Sequence, residues 1–155
     1  MSASSRLLRI ASILLVAFSL TPTPLHSQVP DRANLTVIVR GLRSDQGRVS
    51  AGLYASSETF MQDGQEEATC SVPIRDGVAR CVFENVPPGR YAVGLMHDEN
   101  ANGKFDSGFL GIPEEGYGFS RDARGSLGPP SFDAAAFDWD AHADGAIPVR
   151  IRYGI

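Results

Sequence analysis

Residues 78 to 96 read Val-Ala-Arg-Cys-Val-Phe-Glu-Asn-Val-Pro-Pro-Gly-Arg-Tyr-Ala-Val-Gly-Leu-Met, and they decide the fold class. Val78, Arg80 and Val82 interleave with Ala79, Cys81 and Phe83; Tyr91, Val93 and Leu95 interleave with Ala92, Gly94 and Met96. Period-two alternation rich in β-branched and aromatic residues marks half-buried antiparallel strands. Between the two runs, Pro87-Pro88-Gly89 is a turn signal. Working outward, the same alternation recurs over residues 35–40, 49–54 and 147–153, with further turn signals at 44–47 and 75–77. About seven short strands at this spacing predict an all-β chain, an antiparallel β-sandwich of the immunoglobulin or transthyretin-like kind. Helix is confined to single turns: Ser57 to Met61, with Ser57 as cap, and Asp133 to Phe137.

Residues 100–140 break the pattern. Seven glycines, from Gly103 to Gly128, alternate there with Phe105, Phe109, Tyr117, Phe119, Phe132, Phe137 and Trp139. A loop this long in a small domain is functional or disordered. Its aromatics bury enough area to order it, so an ordered Gly- and aromatic-rich excursion over one end or edge of the sandwich is expected. Tyr117, Phe119, Phe132 and Trp139 are also chemically suited to stack on a saccharide or grip a peptide.

The first residues follow another logic. Arg6 and Arg9 precede the apolar run 10–20, and a polar, Pro-broken segment extends from there to Gln28. This is the order of a secretory signal peptide, expected to span 1–27 and to leave a single β-sandwich domain over 28–155. The run is too short to span a bilayer, so no stable membrane span is expected after cleavage. Removing Arg6 and Arg9 from the 14 basic residues leaves 12 against 18 acidic ones. That balance argues against nucleic acid, whose affinity rests on Lys and Arg at phosphates. The expected place is the periplasm or the extracellular space.

Export brings an oxidising compartment, in which Cys70 and Cys81 pair. Two cysteines without a nearby His make no zinc site. Placed in one hairpin, the two share an index sum that a two- or four-residue loop at 74–77 makes directly opposed. Opposed Cβ atoms lie about 4.5–5.5 Å apart, close to what a disulfide requires.

His97-Asp-Glu-Asn-Ala-Asn-Gly-Lys-Phe-Asp106 is the candidate site. Asp98, Asn100, Asn102 and Asp106 occupy positions one, three, five and nine of a calcium loop, with Gly103 at six and the Lys104 carbonyl at seven. The match is partial, because Phe109 stands where the bidentate Glu belongs. Weak calcium affinity is therefore expected, with Glu114 or Glu115 as candidates to fold back and complete the shell. The competing expectation is a polar turn held by side-chain to backbone bonds of Asp and Asn. His97, beside these carboxylates, is the one candidate general base. The other His after residue 27, His142, lies in a polar turn, and no cluster of His, Arg and Ser ends the chain.

The stretches 83–93, 97–106, 111–120 and 128–132 resemble an exported bacterial family known as domain of unknown function 2141. The resemblance runs from about Leu35 to Tyr153 and implies an exported β-sandwich without an assigned activity. The Val-Pro-Pro-Gly-x-Tyr segment also resembles transthyretin-like and carboxypeptidase-regulatory-like sandwiches, in which the Tyr packs into the core. The expected role is a non-catalytic binding or envelope-associated module, with an envelope protein, saccharide or peptide as partner and calcium as candidate cofactor. The alternative is a periplasmic hydrolase that uses His97 and neighbouring carboxylates.

Overall fold

A computed structural model describes residues 32–141 and 145–154. The expected signal peptide over 1–27, and His142, lie outside the described residues. The strands are β1 (Ala33–Arg40), β2 (Arg48–Tyr54), β3 (Ala68–Pro73), β4 (Ala79–Val86), β5 (Gly89–Asp98), β6 (Gly116–Phe119), β7 (Phe137–Trp139) and β8 (Ile147–Arg150). One short helix, α1 (Phe132–Ala135), precedes β7. β4, β1 and β8 form one sheet; β3, β2, β5 and β6 form the other, and β7 adds to β5. The all-β sandwich expected from the alternation is thus present.

Alternation sets which residues fill it. Leu35, Val37 and Val39 of β1, beside Cys81 and Phe83 of β4, face Val49, Ala51 and Leu53 of β2 and Tyr91, Val93 and Leu95 of β5 across one core. Burying each large apolar side chain in it is worth about 1.5–3 kcal/mol. Tyr91 packs into this core, and its hydroxyl donates to the Pro87 carbonyl at 3.1 Å, which fixes the Pro-Pro-Gly turn. Behind β2 and β5 lies a second apolar cluster of Tyr54, Phe60, Ala92, Phe119, Phe132, Ala135 and Ala136. Hence β5 is buried on both faces, and small Ala92 leaves room for the rings.

The long middle segment is ordered, as expected, but it is more than a loop. It returns to β5 twice: β7 pairs with Gly89 to Tyr91, and β6 pairs with Gly94 to His97. In the gap between them the Ser120 hydroxyl accepts from the Val93 N–H at 2.9 Å and donates to the Ala135 carbonyl at 2.6 Å. These strands escape sequence reading because three or four residues, half of them Gly in β6, are too few to display an alternation. Both helical turns begin one residue earlier than expected. Ser131 caps α1, and Phe137 already belongs to β7. In the other turn it is Ser56, not Ser57, whose hydroxyl accepts from the Thr59 N–H.

The sandwich is largely antiparallel, as expected, with one parallel pair, and the hairpin geometry expected of the disulfide is corrected. β8 runs parallel to β1, with Arg40 beside Arg150. The chain then crosses over, and Arg152 pairs with Tyr117 of β6, so this segment ties one flank of the sandwich together. Cys70 and Cys81 are bonded, Cα to Cα 5.9 Å, but they are not opposed in one ladder. The hairpin pairs only at its tip, Arg75 with Val78, around Asp76 and Gly77, both at positive φ. Beyond the tip β3 makes six registered pairs with β2, and β4 makes six with β1. Each strand finds a longer partner elsewhere, so the ladder between them stops. The disulfide therefore bridges the two sheets at the flank opposite the crossover.

Replacing both cysteines by Ser is expected to lower unfolding stability by about 2–3 kcal/mol, the loop-closure term for so short a ring. Urea denaturation under oxidising conditions measures it. An unchanged midpoint would show that the inter-sheet bond is not a stabilising tie.

Candidate functional site

His97 and Asp98 end β5, where β2 and β6 flank it on either side. Both are therefore buried, although a strand end is where a chain ordinarily meets solvent. His97 is fully enclosed, with Nδ1 2.6 Å from the Tyr153 hydroxyl and Nε2 2.8 Å from the Gln46 carbonyl. A carbonyl only accepts, so Nε2 carries a proton and donates to it. The Tyr153 hydroxyl also accepts from the Arg43 N–H at 3.0 Å. One hydrogen-bonded line thus joins the β1–β2 connection, the end of β5 and the chain's last described residues. Gly116 makes it feasible, since a Cβ there would sit 2.5 Å from the Tyr153 ring. Gly47 does the same for the loop: at φ +68° it approaches so closely that a Cβ would fall 2.0 Å from the Asp98 carbonyl oxygen.

Asp98 organises the turn that leaves β5. Its Oδ1 accepts from the Asn102 N–H at 3.0 Å and its Oδ2 from the Gly103 N–H at 2.8 Å. Asn100 Oδ1 also accepts from the Asn102 N–H, and Asn102 Oδ1 accepts from the Lys104 N–H at 2.7 Å. The side-chain amides of Asn100 and Asn102 both donate to Asp106 Oδ2, at 2.6 and 2.9 Å. Glu115 folds back as expected of it, but onto backbone. Its Oε1 accepts from the Glu99 N–H and its Oε2 from the Asp106 N–H, so one buried carboxylate clamps both ends of the loop.

The fold thus draws Asp98, Asn100, Asn102 and Asp106 into one turn, and Lys104 joins through its backbone. The side-chain bonds within the turn are those of the polar-turn expectation. An oxygen that accepts one N–H retains a second lone pair, so the same turn keeps donor capacity for a hard cation. Among the described residues no three His, Cys, Asp or Glu side chains cluster as metal ligands. A cation here would rely on amide and carbonyl oxygens, which is calcium chemistry rather than transition-metal chemistry. Phe109, at the position of the missing Glu, points outward and is 87% exposed.

An open cleft of about 420 Å³ lies over the loop, lined by Arg43, Gln46, Glu99, Asn100, Asp106, Glu114 and Glu115. Four carboxylates face one guanidinium there, and that guanidinium is committed. Arg43 holds Glu99 through both Nε and Nη2, and it lies 4.4 Å over the Tyr153 ring. The Arg43 bond keeps the Glu99 carboxyl below its ordinary value of 4.5. Burial pushes the Tyr153 phenol up. Of the aromatics suited to ligand stacking, Phe119, Phe132 and Trp139 are buried and hold the fold; Tyr117 stays half-buried against exposed Phe105. Arg43, Gln46 and Tyr153 were not legible as site residues, because no local motif links three positions brought together only by the tertiary fold.

This geometry defines a small β-sandwich domain, cross-linked between its sheets, with an Asp- and Asn-built loop and an acidic cleft at one end. The chain belongs to a bacterial family described as an uncharacterized protein conserved in bacteria, domain of unknown function 2141, whose model matches residues 37–146. No curated protein and no solved structure gives a significant match. Among the described residues no helix is long and apolar enough to cross a membrane.

Two outcomes check this site. Tyr153→Phe removes the hydroxyl from buried His97 and is expected to cost about 1–3 kcal/mol in urea unfolding, the penalty for a buried polar atom left unpaired. For Glu99, a carboxyl depressed on folding adds stability above its unfolded pKa and loses it as pH falls. Acid unfolding of Glu99→Gln is thus expected to fall less steeply with pH below about 4.5 than that of the parent. Parallel profiles for the two would remove the Arg43–Glu99 pair from the account.

Proposed function

We propose that the protein is an exported, non-catalytic binding module of the bacterial envelope, and that its Asp98–Asp106 loop takes calcium weakly. The observation that carries this reading is a sealed His97 next to an open, acid-lined cleft. A general base must reach the proton that it abstracts. His97 has both ring nitrogens engaged and no exposed surface, so it cannot reach a substrate in the cleft. This supports binding over the hydrolase reading. The inter-sheet disulfide supports an oxidising compartment, and so does the signal-peptide pattern of the first 27 residues. Calcium is supported by the donor spacing of Asp98, Asn100, Asn102 and Asp106 around Gly103 and by the second lone pairs that their oxygens retain. An envelope protein, saccharide or peptide remains the class of partner. The accessible surface for it is the cleft together with Tyr117 and Phe105.

Millimolar calcium is expected to raise the thermal midpoint of residues 28–155. At ten times the dissociation constant the gain is about 1.4 kcal/mol, or a few degrees. Asp106→Ala is expected to abolish the rise. It is the better probe than Asp98→Ala, which also uncaps two backbone N–H groups. Magnesium is expected to do less, because it sheds water reluctantly. A midpoint indifferent to calcium, or an Asp106→Ala protein that responds like the parent, would leave the loop a polar turn only.

A further inference from the structure

The outer face of the β4-β1-β8 sheet has a composition that the fold does not require. Its central residues are Thr36 and Ile38, which are half-buried, with Val82 and Pro148 exposed on the flanking strands. Around them stand Arg40, Arg80 and Arg150, all exposed. Arg40 and Arg150 are direct register partners on neighbouring strands, about 4.8 Å apart along the hydrogen-bonding direction. Arg80 pairs with Ile38, one row back on the other side of β1, at the diagonal spacing of about 7–8 Å from Arg40. Like charges directly opposed on a sheet are destabilising, and this face holds such a pair with a third guanidinium beside it.

Two carboxylates border this face, exposed Glu84 on β4 and Asp122, which accepts from the Arg150 backbone N–H at 3.2 Å, but neither pairs with these guanidiniums. No hydrogen bond or ion pair there engages the side chain of Arg40, Arg80 or Arg150. Most other arginines are used, Arg43 by Glu99, Arg48 by Ser71, Arg90 by Asp133 and Arg152 by Asp122, while Arg75 and Arg124 stand singly outside the strands. In a chain of net charge −4, three unpaired arginines on one sheet face are a concentrated exception. Their charge calls for an anionic partner, and the form of the site limits which one. The arginines line neither the cleft over the loop nor the smaller one beside Arg32 and Tyr91. A free phosphate or small anion is held in a concave site. A pleated face with guanidiniums around an apolar centre instead matches a broad negative surface.

We propose that this face docks on an anionic phospholipid surface, with Arg40, Arg80 and Arg150 on headgroup phosphates and Ile38, Val82 and Pro148 against the interface. Arginine suits the task, because its planar fork meets phosphate oxygens in pairs. The proposal deepens the envelope reading and rests on it. The arginine row also continues into the loop end of the sandwich. β1 runs out through Arg40 to Arg43, and β8 through Arg150 to Tyr153. Docking through this face would hold the cleft near the bilayer.

The test is co-sedimentation of residues 28–155 with vesicles of phosphatidylcholine alone and of equimolar phosphatidylcholine and phosphatidylglycerol. Binding is expected to the anionic vesicles only, and to weaken as salt is raised. Each arginine removed is expected to weaken it about fivefold, so Arg40→Gln, Arg80→Gln and Arg150→Gln together should weaken it about a hundredfold. Arg90→Gln, on the other sheet, should bind like the parent. The thermal midpoint of the triple variant should stay at or above the parent's, since only exposed like charges are lost. Equal binding to both vesicles, or a triple variant that binds like the parent, overturns the proposal. So does displacement by inorganic phosphate at concentrations too low to act through ionic strength, which would mean a discrete anion site. Self-association lost in the triple variant without vesicle binding also overturns it and makes the face a contact between copies. Cell fractionation separates the two readings: vesicle binding by a protein found in the cytoplasm would refute export while leaving the lipid-docking face standing.

Discussion

The structure depends on the hydrogen-bond demand of one strand. β5 is ten residues long and buried on both faces, so each N–H and C=O along both of its edges needs a protein partner. β2 supplies one edge over seven registered positions. The other edge has no single strand of that length. It is shared by β7, the Ser120 hydroxyl and β6 in turn. The chain between β5 and β8 is long because it must return to the same edge twice. Its Phe119 and Phe132 then cover the outer side of the sheet together with Phe60 of the β2–β3 connection, which is in edge contact with Tyr54 and Phe132. An extended loop by composition is, energetically, the missing edge of a sheet.

The same demand creates the site. Because β2 and β6 continue alongside β5 to its last residues, His97 and Asp98 are buried where a strand would normally open to solvent. A buried polar side chain costs free energy unless its atoms are bonded. Among the described residues no buried side-chain nitrogen or oxygen lacks a partner. His97 is satisfied by Tyr153 and Gln46, Asp98 by two loop N–H groups. Satisfying these two residues draws the β1–β2 connection, the 98–115 loop and the last strand's continuation to one end of the sandwich. A polar network of this kind is worth more intact than in part, so it fixes one arrangement of the loop and of the cleft above it.

At the flanks, two ties of different kinds close the sandwich. On one side the chain after β8 leaves the smaller sheet and pairs Arg152 with Tyr117 of the larger. On the other, the disulfide spans from β3 to β4 across the sheets. Both act where a small sandwich is weakest, at strand edges that lack a neighbour. Held this way, the outer face of β4, β1 and β8 is free to carry exposed arginines rather than a covering element.

Much of this was written in the residues themselves. Alternation at 35–40, 49–54, 78–83 and 91–96 specified the long strands, because a period of two puts apolar groups on one face whatever the partner is. The polar spacing at Asp98, Asn100, Asn102 and Asp106 specified a tight turn, because such side chains bond to backbone within a few residues. The pairing of Cys70 with Cys81 followed from there being just two cysteines, but its geometry did not: whether two strands of a hairpin stay together depends on the longer partners that each finds elsewhere. β6 and β7 are too short and too rich in Gly or bounded by polar residues to announce themselves, and exist because β5 needs an edge. Tyr153 reaching His97, Arg43 reaching Glu99 and the β1–β8 register that sets Arg40 beside Arg150 join residues more than fifty positions apart. No local pattern encodes such contacts, since they arise from the demand of buried polar groups for partners and from the register that packing imposes.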